Sequence, residues 1–428
     1  MSIEIRLRGR ISRGLFRRRV PDLRKVKEWI EFRCSGVLDE ARVIAHEDGT
    51  ASLGCLLHPA GESLTLETTL EHFLIADCRT QCVGPGYHIF VCELLRELAS
   101  EFAIEWEPPG AGFGDSTGFF HNGDLDLVYQ AMSDWLQNVA TEILDHAALR
   151  ESEGFGICMP LDSGFEQTDF VQTALGPRST EWLEQMRVNR SRHDEFFAWW
   201  NIAQDALYNR NRALVLLCNH VRWRKPLTEA ERQLLLEVDG LLWWALDKDP
   251  SLEFPWREWV ELRQWAGLMV TSDRRLLEGA SRIPDEEPLL GYRRHPVIVT
   301  LAAGWQLRVP GALADEWDDE GTWSGWDETH TIRVTTFAVN AAGSPVSAEE
   351  LVSRQIGTVP ADIRFELGGV HAIGGISERV EGSQTFLQLD AASAVKGKLA
   401  VLTATSTDLN EREWLMEVWR SLANDFPA

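Results

Sequence analysis

HAIGGISERV (371–380), SQTFLQLD (383–390) and KLAVLTATS (398–406), followed by NEREWLMEVWRSLAND (410–425), decide how this chain folds. The first three read as strands. The fourth reads as an amphipathic helix carrying Trp414 and Trp419. Working outward, GWQLRVPG (304–311) and THTIRVTTFAV (329–339) are two more strands, and SAEELVSRQI (347–356) is a helix. The order strand, strand, helix, three strands, helix predicts a small antiparallel sheet with helices on one face over residues 298–428. Before it, SRIPDEEPLLGYRRHPV (281–297) is Pro-rich, charged and aperiodic, and is expected to be a linker.

Residues 151–280 are expected to be predominantly helical and packed on the domain before them. TEAERQLLLEVDGLLWWALDK opens with Thr228 as N-cap and Glu231 three residues on, a capping-box start. Trp199, Trp200, Trp243, Trp244, Trp256, Trp259 and Trp265 all fall here, where helical context favours interhelix core. Residues 1–150 are expected to form a mixed α+β domain. Ile3, Ile5 and Leu7 alternate with Glu4, Arg6 and Arg8 as an edge strand. YHIFVCELLRELASEF (87–102) and LDLVYQAMSDWLQNVATEILDHA (125–147) are long amphipathic helices, the second capped by Asp124. SLTLETTLEHFLI (63–75) reads as a strand or a strand leading into a helix, and 108–124 as a loop. The fold class is therefore α+β: a mixed region, a helical region, then the small sheet.

With 428 residues, two or three domains are expected. Net charge is −24, from 66 acidic and 42 basic side chains. The basic ones crowd the start: Arg6, Arg8, Arg10, Arg13, Arg17, Arg18, Arg19, Arg24, Lys25, Lys27 and Arg33 stand against Glu4, Asp22, Glu28 and Glu31. So acidic a remainder repels nucleic-acid phosphates and anionic membranes and attracts basic proteins, though acidity also serves solubility. No nucleic-acid or membrane partner is expected. The opening MSIEIRLRGRISRG lacks an apolar core, no run of about 18 apolar residues occurs, and the seven Cys have no disulfide-framework spacing. A cytoplasmic protein with reduced thiols is expected.

Motifs for chemistry are few. Phosphate-loop, H-E-x-x-H and G-x-S-x-G patterns are absent. The glycine-rich loop Gly110–Gly118 does not run straight into a helix, as a dinucleotide loop should. Cys78 and Cys82, with His72, His88 and Cys92 nearby, lack the paired spacing of a zinc knuckle. His121, Asp124 and Asp126 are too few acids for a metal site, and no cofactor is expected. His371, between Gly368-Gly369 and Gly374-Gly375, reads as part of a hairpin.

The most distinctive segment runs from Asp315 to Glu328, with seven acids, three Trp and no Lys or Arg. A calcium loop would need a different order of acids and glycine. A solvated acidic loop explains the segment, and so does a contact surface for a basic partner. In the second reading Asp315, Glu316, Asp318, Asp319, Glu320, Asp327 and Glu328 steer the partner, while Trp317, Trp323 and Trp326 anchor it.

GWQLRVPG, Trp326-Asp-Glu-Thr leading into TIRVTTF, and the closing helix with Trp414 and Trp419 give the C-terminal region a resemblance. It resembles the PsbP/Mog1-type α+β modules of bacterial secretion accessory proteins, which implies protein binding without catalysis. Through VGPGYHIFVCELL (83–95) and DSTGFF (115–120), the N-terminal part resembles immunity proteins of polymorphic-toxin systems. No functional residue carries over from either. The expected function is that of an immunity or chaperone-like protein, whose partner is a protein of the kind of a basic toxin or effector. The alternative is a hydrolase-like enzyme whose site gathers scattered His and acidic residues of the first domain, such as His88, His121 and Asp115.

Overall fold

The computed structural model describes residues 2–11, 21–110, 112–146, 155–158, 164–165, 171–268, 274–284, 287–341 and 344–424. Arg13, Arg17, Arg18 and Arg19 of the basic start lie outside the described residues. The chain divides into two compact units. Unit 1 is 1–160, 167–221 and 233–291, and unit 2 is 161–166, 222–232 and 292–428.

Unit 1 begins with β1 (Glu4–Ile11), α1 (Leu23–Arg33), β2 (Glu40–Ala45), β3 (Ala51–Leu56), β4 (Leu64–Thr68) and β5 (Leu74–Arg79). It continues through α2 (Pro85–Phe102), β6 (Ile104–Trp106), β7 (Gly114–Asp115), α3 (Phe119–Asn122) and α4 (Leu125–His146). The strands form one antiparallel sheet in the order β2-β3-β4-β5-β1-β6, with β7 also on β1. SLTLETTLEHFLI is thus a hairpin of two strands, turned through Thr69–Phe73 by Thr69 N–H donating to the Phe73 carbonyl. β1 is not the edge strand its alternation suggested, because it lies between β5 and β6. Its Ile5 and Leu7 are buried, while Arg8 donates to Glu107 at 2.5 Å and stacks on Phe73 and Phe113. Arg10 sits 3.7 Å from the centre of the Phe73 ring. Cation–π stacking of this kind lets a row of arginines cover an internal strand.

Residues 151–280 carry strands as well as the expected helices. β8 (Phe155–Ile157) runs parallel to β10 (Val171–Thr173), which pairs antiparallel with β11 (Gly176–Arg178). β9 (Gly164–Phe165), between them in sequence, belongs to unit 2. Among the described residues five helices follow: α5 (Thr180–Val188), α6 (Ala206–Asn219), α7 (Glu229–Lys248), α8 (Trp256–Trp265) and α9 (Arg274–Ala280). Thr228 Oγ1 accepts from the Glu231 N–H at 3.2 Å, so the N-cap read from the sequence forms. Between α7 and α8, Trp243 and Trp259 meet edge to face at 5.0 Å, and Trp259 Nε1 donates to Asp239. Trp199 and Trp259 are fully buried, whereas Trp244 is exposed.

Unit 2 holds β12 (Pro296–Thr300), β13 (Trp305–Pro310), β14 (Ala314–Trp317), β15 (Trp323–Trp326), β16 (His330–Ala338), β17 (Asn340–Ala341) and β18 (Ser344–Pro345). After α10 (Ala348–Ser353) come β19 (Ile363–Leu367), β20 (Val370–Glu381), β21 (Gln384–Val395), β22 (Lys398–Ser406), α11 (Arg412–Arg420) and β23 (Ala423–Asn424). The stretch expected as linker therefore includes a short 3-10 turn at Tyr292–Arg294 and enters β12. Seven strands pair antiparallel as β14-β15-β16-β22-β21-β20-β19, and four as β23-β13-β12-β9. β19 and β20 are the hairpin expected around His371, turned by Gly368 and Gly369 with φ of 57° and 78°.

Both closing helices pack on this sheet, each on its own face and not on one shared face as the sequence suggested. Around α10, Leu351 and Val352 cluster with Ile373, Ala392 and Ala394. On α11, Trp419 donates through Nε1 to Ser393, and its ring lies against Gly374, where a Cβ would come within 2.9 Å. Neighbouring residues of a strand point to opposite faces, so 392 and 393 cannot serve the same helix. A small residue at 374 lets the indole lie on the backbone.

Candidate functional site

The acidic, Trp-rich segment is ordered as a hairpin, not a loop. β14 and β15 pair Asp315 with Gly325, Glu316 with Ser324, and Trp317 with Trp323. The turn closes through Asp318, whose carboxylate accepts from the backbone N–H of Glu320 and Thr322, with Gly321 at φ 81°. Trp323 is buried, its indole crossing Gly325, where a Cβ would come within 2.5 Å of the ring.

The ten residues read as one contact surface divide by direction. Asp315 turns inward, with Arg222 at 2.5 Å, and accepts from Trp323 Nε1 at 3.4 Å. Asp327 accepts from the His330 backbone at 2.7 Å and binds its ring at 3.0 Å. Trp326 is half-buried. Glu316, Trp317, Asp318, Asp319, Glu320 and Glu328 stay exposed, and Trp317 keeps 49% of its surface in solvent. Among the segment's three Trp, Trp317 is thus the exposed one, on β14 at the edge of the sheet.

Beside the hairpin, His330 lies between two carboxylates, 3.0 Å from Asp327 and 2.7 Å from Glu411, with its ring against Trp414 at 4.1 Å. Burial alone lowers the pKa of an imidazole, but here the hydrogen bonds to Asp327 and Glu411 and their charges outweigh it and raise His330. Both ring nitrogens are thus engaged by carboxylates, and the ring ties Asp327 to Glu411. Near it, Asp327 and Glu328 line a shallow cleft of about 240 Å³ with Arg224 and Lys225.

In unit 1 the structure brings together His88 and Asp115 but not His121. Both side chains of the first pair are fully buried, with Nε2 and Oδ1 3.0 Å apart. His121 is exposed, against the edge of Phe120. Asp115 also accepts from the backbone N–H of Thr117 and Phe120, and His88 Nδ1 shares a 2.8 Å hydrogen bond with Thr80. Burial raises a carboxyl, yet the hydrogen bond and charge of His88 and the backbone donors carry Asp115 down to about 2. Cys92 lies 4.0 Å from Asp115. Burial first, then that carboxylate, pushes its thiol far up, which keeps it protonated. His88, Cys92 and Asp115 could approach one metal ion, but their polar atoms are already engaged with one another and with Thr80, Thr117 and Phe120. VGPGYHIFVCELL and DSTGFF meet at this cluster. Cys78 instead faces the Tyr87 hydroxyl at 3.7 Å, and Cys82 lies beside Cys158, whose thiol it raises.

Sequence reasoning missed a cavity of about 530 Å³ within unit 2, walled by Trp223, Arg293, Arg294, Arg308 and Trp414 among others. The signal was present in GYRRHP (291–296), an Arg pair inside what read as linker.

No family model matches the chain, and no curated protein matches it. Among solved structures, a crystal structure from Bacteroides thetaiotaomicron VPI-5482 is similar at 12% identity, over 29% of this chain and 47% of that one, with a TM-score of 0.26. The aligned part thus spans about half that protein's length, a likeness too slight to carry fold or function across. Among the described residues, no helix is long and apolar enough to cross a membrane.

Proposed function

We propose that this protein binds another protein, a basic one of the toxin or effector kind, through the tip of the β14–β15 hairpin. The observation that carries this reading is Trp317, 49% exposed among Glu316, Asp318, Asp319 and Glu320 on an edge strand. A half-exposed indole can be desolvated by a partner, and surrounding acids raise the encounter rate with a basic surface. An edge strand also offers backbone donors and acceptors to an added strand. A net charge of −24 favours the same class of partner, and the resemblance of the C-terminal sequence to protein-binding modules points the same way.

The enzyme alternative draws on His88 and Asp115, which do meet. They are sealed at zero exposure, where a substrate reaches them only if the core opens.

Affinity capture from native lysate, at low and then high salt, tests the proposal. The expected result is one basic protein that elutes as salt rises and escapes the Trp317→Ala variant. Equal retention by Trp317→Ala and by Glu320→Lys would remove the hairpin from the account.

A further inference from the structure

We propose that the cavity of unit 2 is a binding site for a small organic oxyanion, a carboxylate or phosphate attached to an apolar body, with Arg293 as its anchor. Arg293 lines the cavity and is itself only 3% exposed. Its Nη1 donates to the Gly311 carbonyl at 3.3 Å. Its Nε and Nη2 are buried without a hydrogen-bond acceptor. Asp315 is 3.9 Å from Nη2, within reach of its charge but too far for a hydrogen bond, and is held more closely by Arg222. Nε and Nη2 form the side of a guanidinium that grips two oxygens of one carboxylate or phosphate at once. A buried fork left open is costly unless something fills it.

The surroundings are built for the same charge. Among the described residues the wall carries three arginines, Arg293, Arg294 and Arg308, against one carboxylate, Glu417, in a protein that is otherwise strongly acidic. Arg294 lies 3.5 Å over the ring of Trp223, which fixes its guanidinium before any ligand arrives. Trp223 holds a left-handed backbone at φ 55°, a conformation unfavourable for a bulky side chain and found most often at functional sites. Gly311 presses its backbone on residues 293–295, where a Cβ would come within 2.3 Å of the His295 carbonyl. The rest of the wall includes Val309, Pro310, Trp414 and Val418, which suits an apolar body. A cavity of about 530 Å³ is in the range that holds small-molecule ligands.

Titration calorimetry of the full-length protein at low ionic strength, with inorganic phosphate and with benzoate as probes, tests this. Saturable 1:1 binding of at least one probe is expected, weakened at least tenfold in Arg293→Gln. Stronger binding of benzoate would identify a carboxylate with an apolar body, and stronger binding of phosphate a phosphoryl group. No saturable binding of either, or unchanged affinity in a folded Arg293→Gln, overturns the proposal. Should Arg293→Gln fail to fold, Arg308→Glu on the exposed rim replaces it. A severalfold loss of affinity is then expected, and no loss overturns the site.

Discussion

Asp115 shows how a single carboxylate can hold two distant pieces of chain together. It ties β7 to His88 of α2 and caps the turn into α3. Its pKa of about 2 lies below the ordinary 3.8, so its stabilisation is complete above pH 3.8 and is lost as pH falls towards 2. The size is about 2 kcal/mol, from roughly 1.4 kcal/mol per unit. Urea denaturation between pH 2 and 5 should show that slope in the native protein and its loss in Asp115→Asn. His330 acts in the opposite sense. Its raised pKa gives stability that is full below the ordinary 6.5 and fades as pH climbs through the folded value. His330→Gln should flatten the denaturation midpoint above pH 6.5, where the native protein weakens. A flat native profile would show that the two acids do not hold the ring charged.

At the scale of elements, the hairpin carries two tryptophans with opposite duties. Trp323 is buried at 1% exposure and Trp317 is not. Trp323→Ala should cost about 3–5 kcal/mol in denaturant unfolding, through lost burial and the cavity it leaves. Trp317→Ala should stay within about 0.5 kcal/mol of the native protein. Equal losses would contradict the burial assigned to the two indoles. The start of α2 makes a second case. Gly86 donates to the Trp199 carbonyl at 3.0 Å, and a Cβ on it would come within 2.2 Å of the Asn201 carbonyl. Gly86→Ala should therefore destabilise unit 1 by about 1–3 kcal/mol through forced displacement.

For the whole molecule, division into two compact units predicts unfolding that is not two-state. Calorimetry should give a van't Hoff enthalpy below the calorimetric one, and Trp323→Ala should shift only the transition of unit 2. Equal enthalpies for a single transition would count against independent units. Net charge of −24 acts at this scale too. It predicts salt-sensitive association with basic proteins, while the cavity around Arg293 concentrates positive charge locally.

The α+β class, the long helices α2, α4 and α7, the strands β13, β16, β20, β21 and β22 and the Thr228 cap were legible in the sequence. Each depends on periodicity or capping within a few residues. The place of β1 inside its sheet was not, because alternation reports which face is buried and not how many neighbours pair. Nor was the division of the acidic segment: composition marked ten residues alike, whereas the register of β14 on β15 sets Trp317 opposite Trp323 on one face, and only Trp323, on the inner strand, is buried while Trp317, on the edge strand beside the turn, stays exposed. The meeting of His88 with Asp115, and of Arg293 with Trp223 and Trp414 around one cavity, joins residues far apart in the chain. Such contacts exist only once tertiary packing has brought the elements together, so only the folded structure could decide them.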